Sequence, residues 1–284
     1  MHQIRASITL IPVLAVAVLA GCKKESLDTD TYIALDNAIA DGSFQDMMNV
    51  VTQQAVANGI DGFSSGTANG KLLEDCPTTT FSEPLGTFPN TMTVDFGVSC
   101  TTGYLGVERS GKVIATFTGP YSAEGTTITI TTDNYYVNGN KVEGTKTITN
   151  EGLNDAGNLE FVVVMVDGVV TLATGETISW NSSRTREWIA GDETLEIEDD
   201  VYSVTDGPGV DNAVEGINRS GTPFTAHIAE PLVRALDCRW FRSGVLEVTP
   251  EEMLTRSIDF GSGDCDNVAT LSIGEFETEI TLPY

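Results

Sequence analysis

From Asp75 to its end the chain alternates β-branched and polar residues in short runs broken by Gly, Asn, Asp and Pro, and this period of two most constrains the fold. Thr91–Asp95, Lys112–Thr118, Thr126–Thr132 and Lys141–Thr149 place every second residue on a common face, as half-buried antiparallel strands do. Asn138-Gly139 and Asp167-Gly168 are two-residue signals for type I′ turns. The almost wholly apolar Leu159–Val166, with its return Val169–Thr174, reads as the best-buried hairpin. Glu176–Asn181, Thr185–Ile189, Thr194–Glu198, Val201–Thr205, Thr222–Ile228, Gly244–Thr249, Ala269–Ile273 and Glu277–Leu282 continue the meander. So many strands, with little helix after Gly59, predict an all-β fold: a large twisted antiparallel sheet, either a sandwich or an open curved sheet, with a short N-terminal helical segment.

That segment, residues 31–60, precedes a β domain spanning 61–284. Phe44, Met47, Met48, Val51 and Ala55 follow i, i+3, i+4, i+7 and i+11, one apolar stripe of a helix. Ser43 suits its N-cap and Gly59 its stop, with a less regular helical stretch from Tyr32 to Ile39. The stripe is expected to pack on the sheet as a cap.

Residues 1–21 read as an export leader: His2 and Arg5, an apolar run from Ile8 to Leu19, then small residues. The run is short for a bilayer span, which wants roughly 20 apolar residues. Leu19-Ala20-Gly21-Cys22 resembles the lipobox of bacterial lipoproteins, and the resemblance implies a diacylglycerol-bearing Cys22 and cleavage just before it. Lipidation with several chains would make attachment effectively permanent. The expected layout is thus a leader over 1–21 and a lipidated tether over 22–30. Lys23 stands where an aspartate would mark inner-membrane retention in well-studied lipoproteins, which favours the outer membrane and leaves open whether the protein faces the periplasm or the cell surface.

With Cys22 lipidated, four cysteines remain, in two close pairs, Cys76 with Cys100 and Cys238 with Cys265. An oxidising compartment would let both bridges persist. In each pair the second cysteine follows an Asp-Phe-Gly step, Asp95-Phe96-Gly97 and Asp259-Phe260-Gly261. A disulfide-clipped β unit repeated near each end of the β domain accounts for both.

Lys and Arg number 15 against 41 Asp and Glu, a formal charge of −26, and loss of Arg5 with the leader takes the mature chain to about −27. Such a surface repels nucleic acid and anionic headgroups, so the expected partners are the membrane, through the lipid anchor only, and a glycan or protein ligand. After cleavage His227 is the sole histidine, which leaves multi-histidine metal sites without ligands. No nucleophile elbow, phosphate-binding loop or dinucleotide-binding glycine pattern occurs.

Two constellations remain as candidates. Between Glu187 and Asn218 stand ten acidic residues and no Lys or Arg, and Asp199, Asp200, Asp206 and Asp211 around Gly207-Pro208-Gly209 could supply oxygens to calcium, the one candidate cofactor. Trp180, Arg184, Arg186 and Trp188 share strand parity and could form a ladder of aromatic and guanidinium planes. Exposed, the ladder would stack on sugar rings; buried, it would be a cation-π stack that holds the sheet. A turn at Asn181-Ser182-Ser183 would break its phase.

Arg109-Ser110-Gly111-Lys112, Asn134 to Thr145, Ser179-Trp180 with Arg184-Thr185-Arg186-Glu187-Trp188, and Asp259-Phe260-Gly261 with Cys265-Asp266-Asn267 together resemble a family of β-rich bacteroidete envelope lipoproteins with no established activity. The resemblance implies a lipidated β protein and assigns no site. The expected function is a non-catalytic binding or structural module. A two-carboxylate polysaccharide hydrolase is the enzymatic alternative, and a periplasmic lipid carrier, which would need an apolar cavity in the sheet, is a third.

Overall fold

The period-two segments, Thr194–Glu198 apart, join one antiparallel sheet. The computed structural model describes residues 28–60, 76–102, 106–194 and 197–283, so Cys22, its lipobox and most of the tether lie outside the described residues. The elements are α1 (Tyr32–Asn58), β1 (Thr78–Phe81), β2 (Asn90–Asp95), β3 (Cys100–Thr102), β4 (Val107–Phe117), β5 (Thr127–Val137), β6 (Asn140–Leu153), β7 (Leu159–Thr171), β8 (Thr177–Ala190), β9 (Val201–Asp206), β10 (Val214–Ile217), β11 (Pro223–Ala235), β12 (Ser243–Pro250), β13 (Arg256–Ser262), β14 (Val268–Ile273) and β15 (Phe276–Thr281). The sheet runs β1-β2-β4-β5-β6-β7-β8-β10-β11-β12-β13-β14-β15, with β3 beside β4 and β9 between β8 and β11. It is the open curved form rather than the sandwich, because a helix, not a second sheet, covers its inner face.

α1 packs against β2, β4 to β8 and β12, so the sheet bends around it. The bend follows a line of irregular residues across neighbouring strands. Register shifts at Gly111 in β4, around Asn134 in β5, at Gly144 in β6 and at Asp167-Gly168 in β7 stand side by side. Asn134 and Asp167 have φ of 48° and 52°, and Gly111 and Gly144 of 77° and 134°, the bulge geometry that sharpens strand bending. At Gly168 a Cβ would lie 2.2 Å from the Trp180 carbonyl oxygen and 2.9 Å from Phe44 Cζ, so only hydrogen lets the helix settle there.

This corrects the Asp167-Gly168 hairpin. Leu159–Thr171 is one strand, and Asp167 takes its positive φ for a bulge, a demand that dihedral shares with a type I′ turn. Asn138-Gly139 does make the expected turn, with φ of 49° and 80° between paired Val137 and Asn140. β8 likewise runs straight through Asn181-Ser182-Ser183 without a turn. Thr194–Glu198 forms no strand in its described part, which leads into a 3-10 turn at Ile197–Asp199.

α1 is one helix of 27 residues rather than two pieces. Ser43 lies inside it, buried, its hydroxyl donating to the Ile39 carbonyl four residues back instead of capping a new start. Gly59, at φ 69°, does end the helix, and the Ile60 N–H donates to Ala55 O while the Ile60 side chain is buried. The sheet encloses α1 closely enough to bury Ile33, Phe44, Met47, Met48, Val50 and Val51 together with Asp36, Asn37 and Asp46.

Both cysteine pairs form disulfides, Cys76–Cys100 and Cys238–Cys265. The two Asp-Phe-Gly steps make the same local turn: Asp95 accepts from the Gly97 N–H and Asp259 from the Gly261 N–H, each at 2.8 Å. The end of the expected tether is docked, since Asp28 and the Asp30 carbonyl both meet Arg256, which is fully buried.

Candidate functional site

Strand alternation decides what faces α1. With β8 unbroken, Trp180, Ser182, Arg184, Arg186 and Trp188 all point inward, and the ladder residues are only 2, 8, 6 and 5 % exposed. Of the two arrangements open to the ladder, exposed for sugar stacking or buried as a cation-π stack, the buried one is found: its planes are covered by the helix and by one another. Trp180 stacks on Phe44 with ring centroids 5.2 Å apart and donates to Asn37 Oδ1 at 2.9 Å. Arg184 lies over the Trp180 ring, Arg186 sits 3.3 Å from the Tyr202 centroid, and Trp188 stacks on Tyr202 with ring centroids 5.6 Å apart.

Around the ladder the sheet turns further cations inward. Arg109, Lys146, Arg184, Arg186, Arg234 and Arg256 are all buried, in a chain whose formal charge is −26. The helix answers with Asp36, Asp41 and Asp46. Steps of five residues rotate by about 140° on a helix, so these acids point in different directions. They can all meet the sheet because it wraps the helix. Asp36 accepts from the Arg219 backbone N–H and Nε at 3.0 and 2.7 Å. Asp41 pairs with Arg184 and stands 3.7 Å from Arg234 Nη2. Asp46 accepts from Arg109 Nε at 2.9 Å, from Arg109 Nη2 and from the Tyr135 hydroxyl.

Burial pushes the Asp41 carboxyl up, but Arg184, Arg234 and Lys146 outweigh it and hold it below the usual carboxylate range. Burial pulls the Lys146 ammonium down to about 7 against the help of Asp41, with repulsion from Arg184, Arg186 and Arg234 adding to the shift. Lys146 Nζ donates to the Phe44 carbonyl at 2.9 Å. Burial also lowers Arg234 to about 10, and its guanidinium donates to the Arg239 carbonyl at 2.6 Å and lies 4.2 Å from the Phe241 ring centroid.

Three cavities adjoin this interior. A cleft of about 80 Å³ opens where Val107 and Arg109 of β4 face Leu246 of β12 and Ile258 of β13 across α1. Its mouth carries three amides from one face of α1, Gln45, Asn49 and Gln53, opposite Trp240, Phe241 and Phe260. Gln45 Nε2 donates to Asn49 Oδ1 at 2.9 Å, and Trp240 Nε1 has no hydrogen-bond partner among the described residues. Deeper, a space of about 30 Å³ lies among Asp41, Lys146, Arg184, Arg186 and Arg234. A third, apolar space of about 40 Å³ lies between Val51 and Ala55 on one side and Phe117, Ile148, Trp188 and Tyr202 on the other.

The acidic candidates do not converge. Asp199 is exposed and bonds the Thr194 hydroxyl, while Asp200 is buried and pushed up to about 7, chiefly by burial. Asp206 pairs with His227 and accepts from the Ile228 N–H at 3.0 Å, and Asp211 is exposed. Among the described residues no three His, Cys, Asp or Glu side chains are grouped to hold a metal ion.

Sequence reasoning found the shared parity of Trp180, Arg184, Arg186 and Trp188, with its direction open, but missed Arg109, Lys146, Arg234 and the mouth. The available signal was the even spacing of Asp36, Asp41 and Asp46 in a segment otherwise rich in core residues. Compared with known proteins, the chain matches no family model, no curated protein and no solved structure.

Proposed function

We propose that this chain is an outer-membrane lipoprotein, anchored through Cys22, that acts as a non-catalytic module binding a glycan at the mouth beside α1. The observation that carries the reading is the composition of that mouth: Gln45, Asn49 and Gln53 face the aromatic rings of Trp240, Phe241 and Phe260. Amides satisfy sugar hydroxyls in both directions, and aromatic faces stack on the apolar faces of sugar rings.

The hydrolase alternative asks for a carboxylic acid held protonated near neutral pH. The carboxylates at this cleft, Asp41 and Asp46, are tied to Arg184 and Arg109, and Asp41 is held ionised; Asp200, pushed up to about 7, lines the separate space of about 40 Å³ beside Trp188 and Tyr202, which is too small for a sugar ring. The carrier alternative asks for an enclosed apolar cavity of hundreds of Å³, and the apolar space under α1 holds about 40 Å³; the groove of about 660 Å³ along β8, β10, β11 and β12 lies open to solvent and carries Glu215, Glu251 and Glu252. Two experiments test the proposal. Membrane-fraction protein should incorporate labelled palmitate, and Cys22→Ser should abolish the label. Arrayed envelope and extracellular oligosaccharides should bind the mature domain, and Trp240→Ala should weaken that binding at least tenfold; a domain that binds no glycan, or a Trp240→Ala variant that binds equally well, removes the reading.

A further inference from the structure

The interior charges do not balance locally. Lys146, Arg184, Arg186 and Arg234 approach one another from β6, β8 and β11; Asp41 is the single carboxylate lining the space they share, and Asp200 reaches Arg186 from outside that space. Asp36 and Asp46 are engaged elsewhere, with Arg219 and with Arg109 and Tyr135. Arg184 gives one nitrogen to Asp41, while its Nε and Nη2 are buried with no hydrogen-bond partner among the described residues. Among the described residues the Met48 sulfur, at 3.1 Å, is the side-chain acceptor that Arg186 finds. Unmet donors on a buried guanidinium are costly, and like charges in a low-dielectric interior repel strongly.

Beside these donors lies the space of about 30 Å³. That volume admits two waters or one monatomic anion and is too tight for a carboxylated sugar. We propose that this cavity is a binding site for a single halide-sized anion, chloride in physiological media, held by Arg184 with Lys146, Arg186 and Arg234 around it. The anion supplies the acceptor that Arg184 lacks and cancels one of the excess charges. The site is independent of the glycan reading, since its ligand sits beneath α1 and not at the mouth.

The test uses the mature domain with both disulfides intact. Thermal unfolding is followed in sodium chloride and in sodium gluconate at equal ionic strength, gluconate being too large for the cavity. Binding to the folded state alone raises Tm by about 2 to 4 °C for each tenfold increase in chloride above Kd. Crystals grown in bromide should show an anomalous peak beside the Arg184 guanidinium. Arg184→Gln should lose the chloride increment, and Lys112→Gln, which removes an exposed cation, should keep it. Equal Tm in the two salts, or a bromide-free cavity filled by water, overturns the site. So does an Arg184→Gln variant with the full increment. Because the salt comparison and the bromide peak need only the wild-type chain, a variant that fails to fold does not leave the question open. Loss of glycan binding with a retained chloride increment would separate the two readings.

Discussion

Arg109 and Asp46, 63 residues apart in sequence, form a two-pronged ion pair in the interior, with the Tyr135 hydroxyl donating to the same carboxylate. Both side chains are more than nine-tenths buried, so each needs the other. Asp46→Ala or Arg109→Ala alone should cost about 3 to 5 kcal/mol in urea unfolding, since each leaves a buried charge alone. Replacing both, Asp46→Leu with Arg109→Met, should recover most of that loss; a double variant as unstable as the singles would show that the pair does more than neutralise itself.

Lys146 makes stability depend on pH in the alkaline range. Its folded-state pKa is lowered to about 7, whereas an unfolded lysine titrates near 10.4. Between these values the unfolded chain holds one more proton than the folded one, so stability from this group rises with pH, by up to about 1.4 kcal/mol per unit, and is lost as pH falls through 7. Chemical denaturation at pH 7, 8 and 9 should show this rise against the background of other groups. Lys146→Met should flatten that component; an unchanged difference between the two proteins across the window would contradict the shift.

Gly168 is where helix and sheet touch most closely. Gly168→Ala puts a methyl 2.2 Å from the Trp180 carbonyl oxygen and against the Phe44 ring, and neither backbone nor packed ring can yield cheaply. The expected cost is about 1 to 3 kcal/mol, with a changed near-ultraviolet signal from Trp180 as its stack on Phe44 opens. The same substitution at Gly42, whose Cβ would meet nothing within 4 Å and which like Gly168 has no positive φ, is the control for glycine's freedom in the unfolded chain.

The two disulfides should be separable in their effects. Each closes a loop of similar length, with separations of 24 and 27 residues, so Cys→Ser at both ends of either should cost roughly 3 to 4 kcal/mol. Cys238 also pins the turn that carries Arg239, Trp240 and Phe241. Opening Cys238–Cys265 should therefore weaken glycan binding more than opening Cys76–Cys100. Equal losses would point to stability alone.

Strand content, the Asn138-Gly139 turn, the Gly59 stop and the cysteine pairing were legible because each rests on local chemistry. The features that shape the interior were not. Asp167-Gly168 carries one dihedral signature for two structures, a turn and a bulge, and only the partner strand decides between them. Ser43 looks like a cap in isolation, yet packing continues the helix through it. The direction of the ladder depended on whether Asn181-Ser182-Ser183 turned, which strand pairing with β7 and β10 settles. Arginines in strands read as outward-facing by polarity, and only the acids of α1 make them stable inside.

The enclosure of α1 also orders events in time. The helix leaves the ribosome first, yet its ionic partners lie at Arg109, Arg184, Arg219 and Arg234, and the residues just before it wait for Arg256. These are contacts of long sequence separation, which form slowly and only after most of the chain exists. Throughout synthesis the N-terminal segment must therefore remain unsatisfied, its acids and apolar side chains exposed together. A holding chaperone would find its client there, and the last strands to emerge, not the first, would release it.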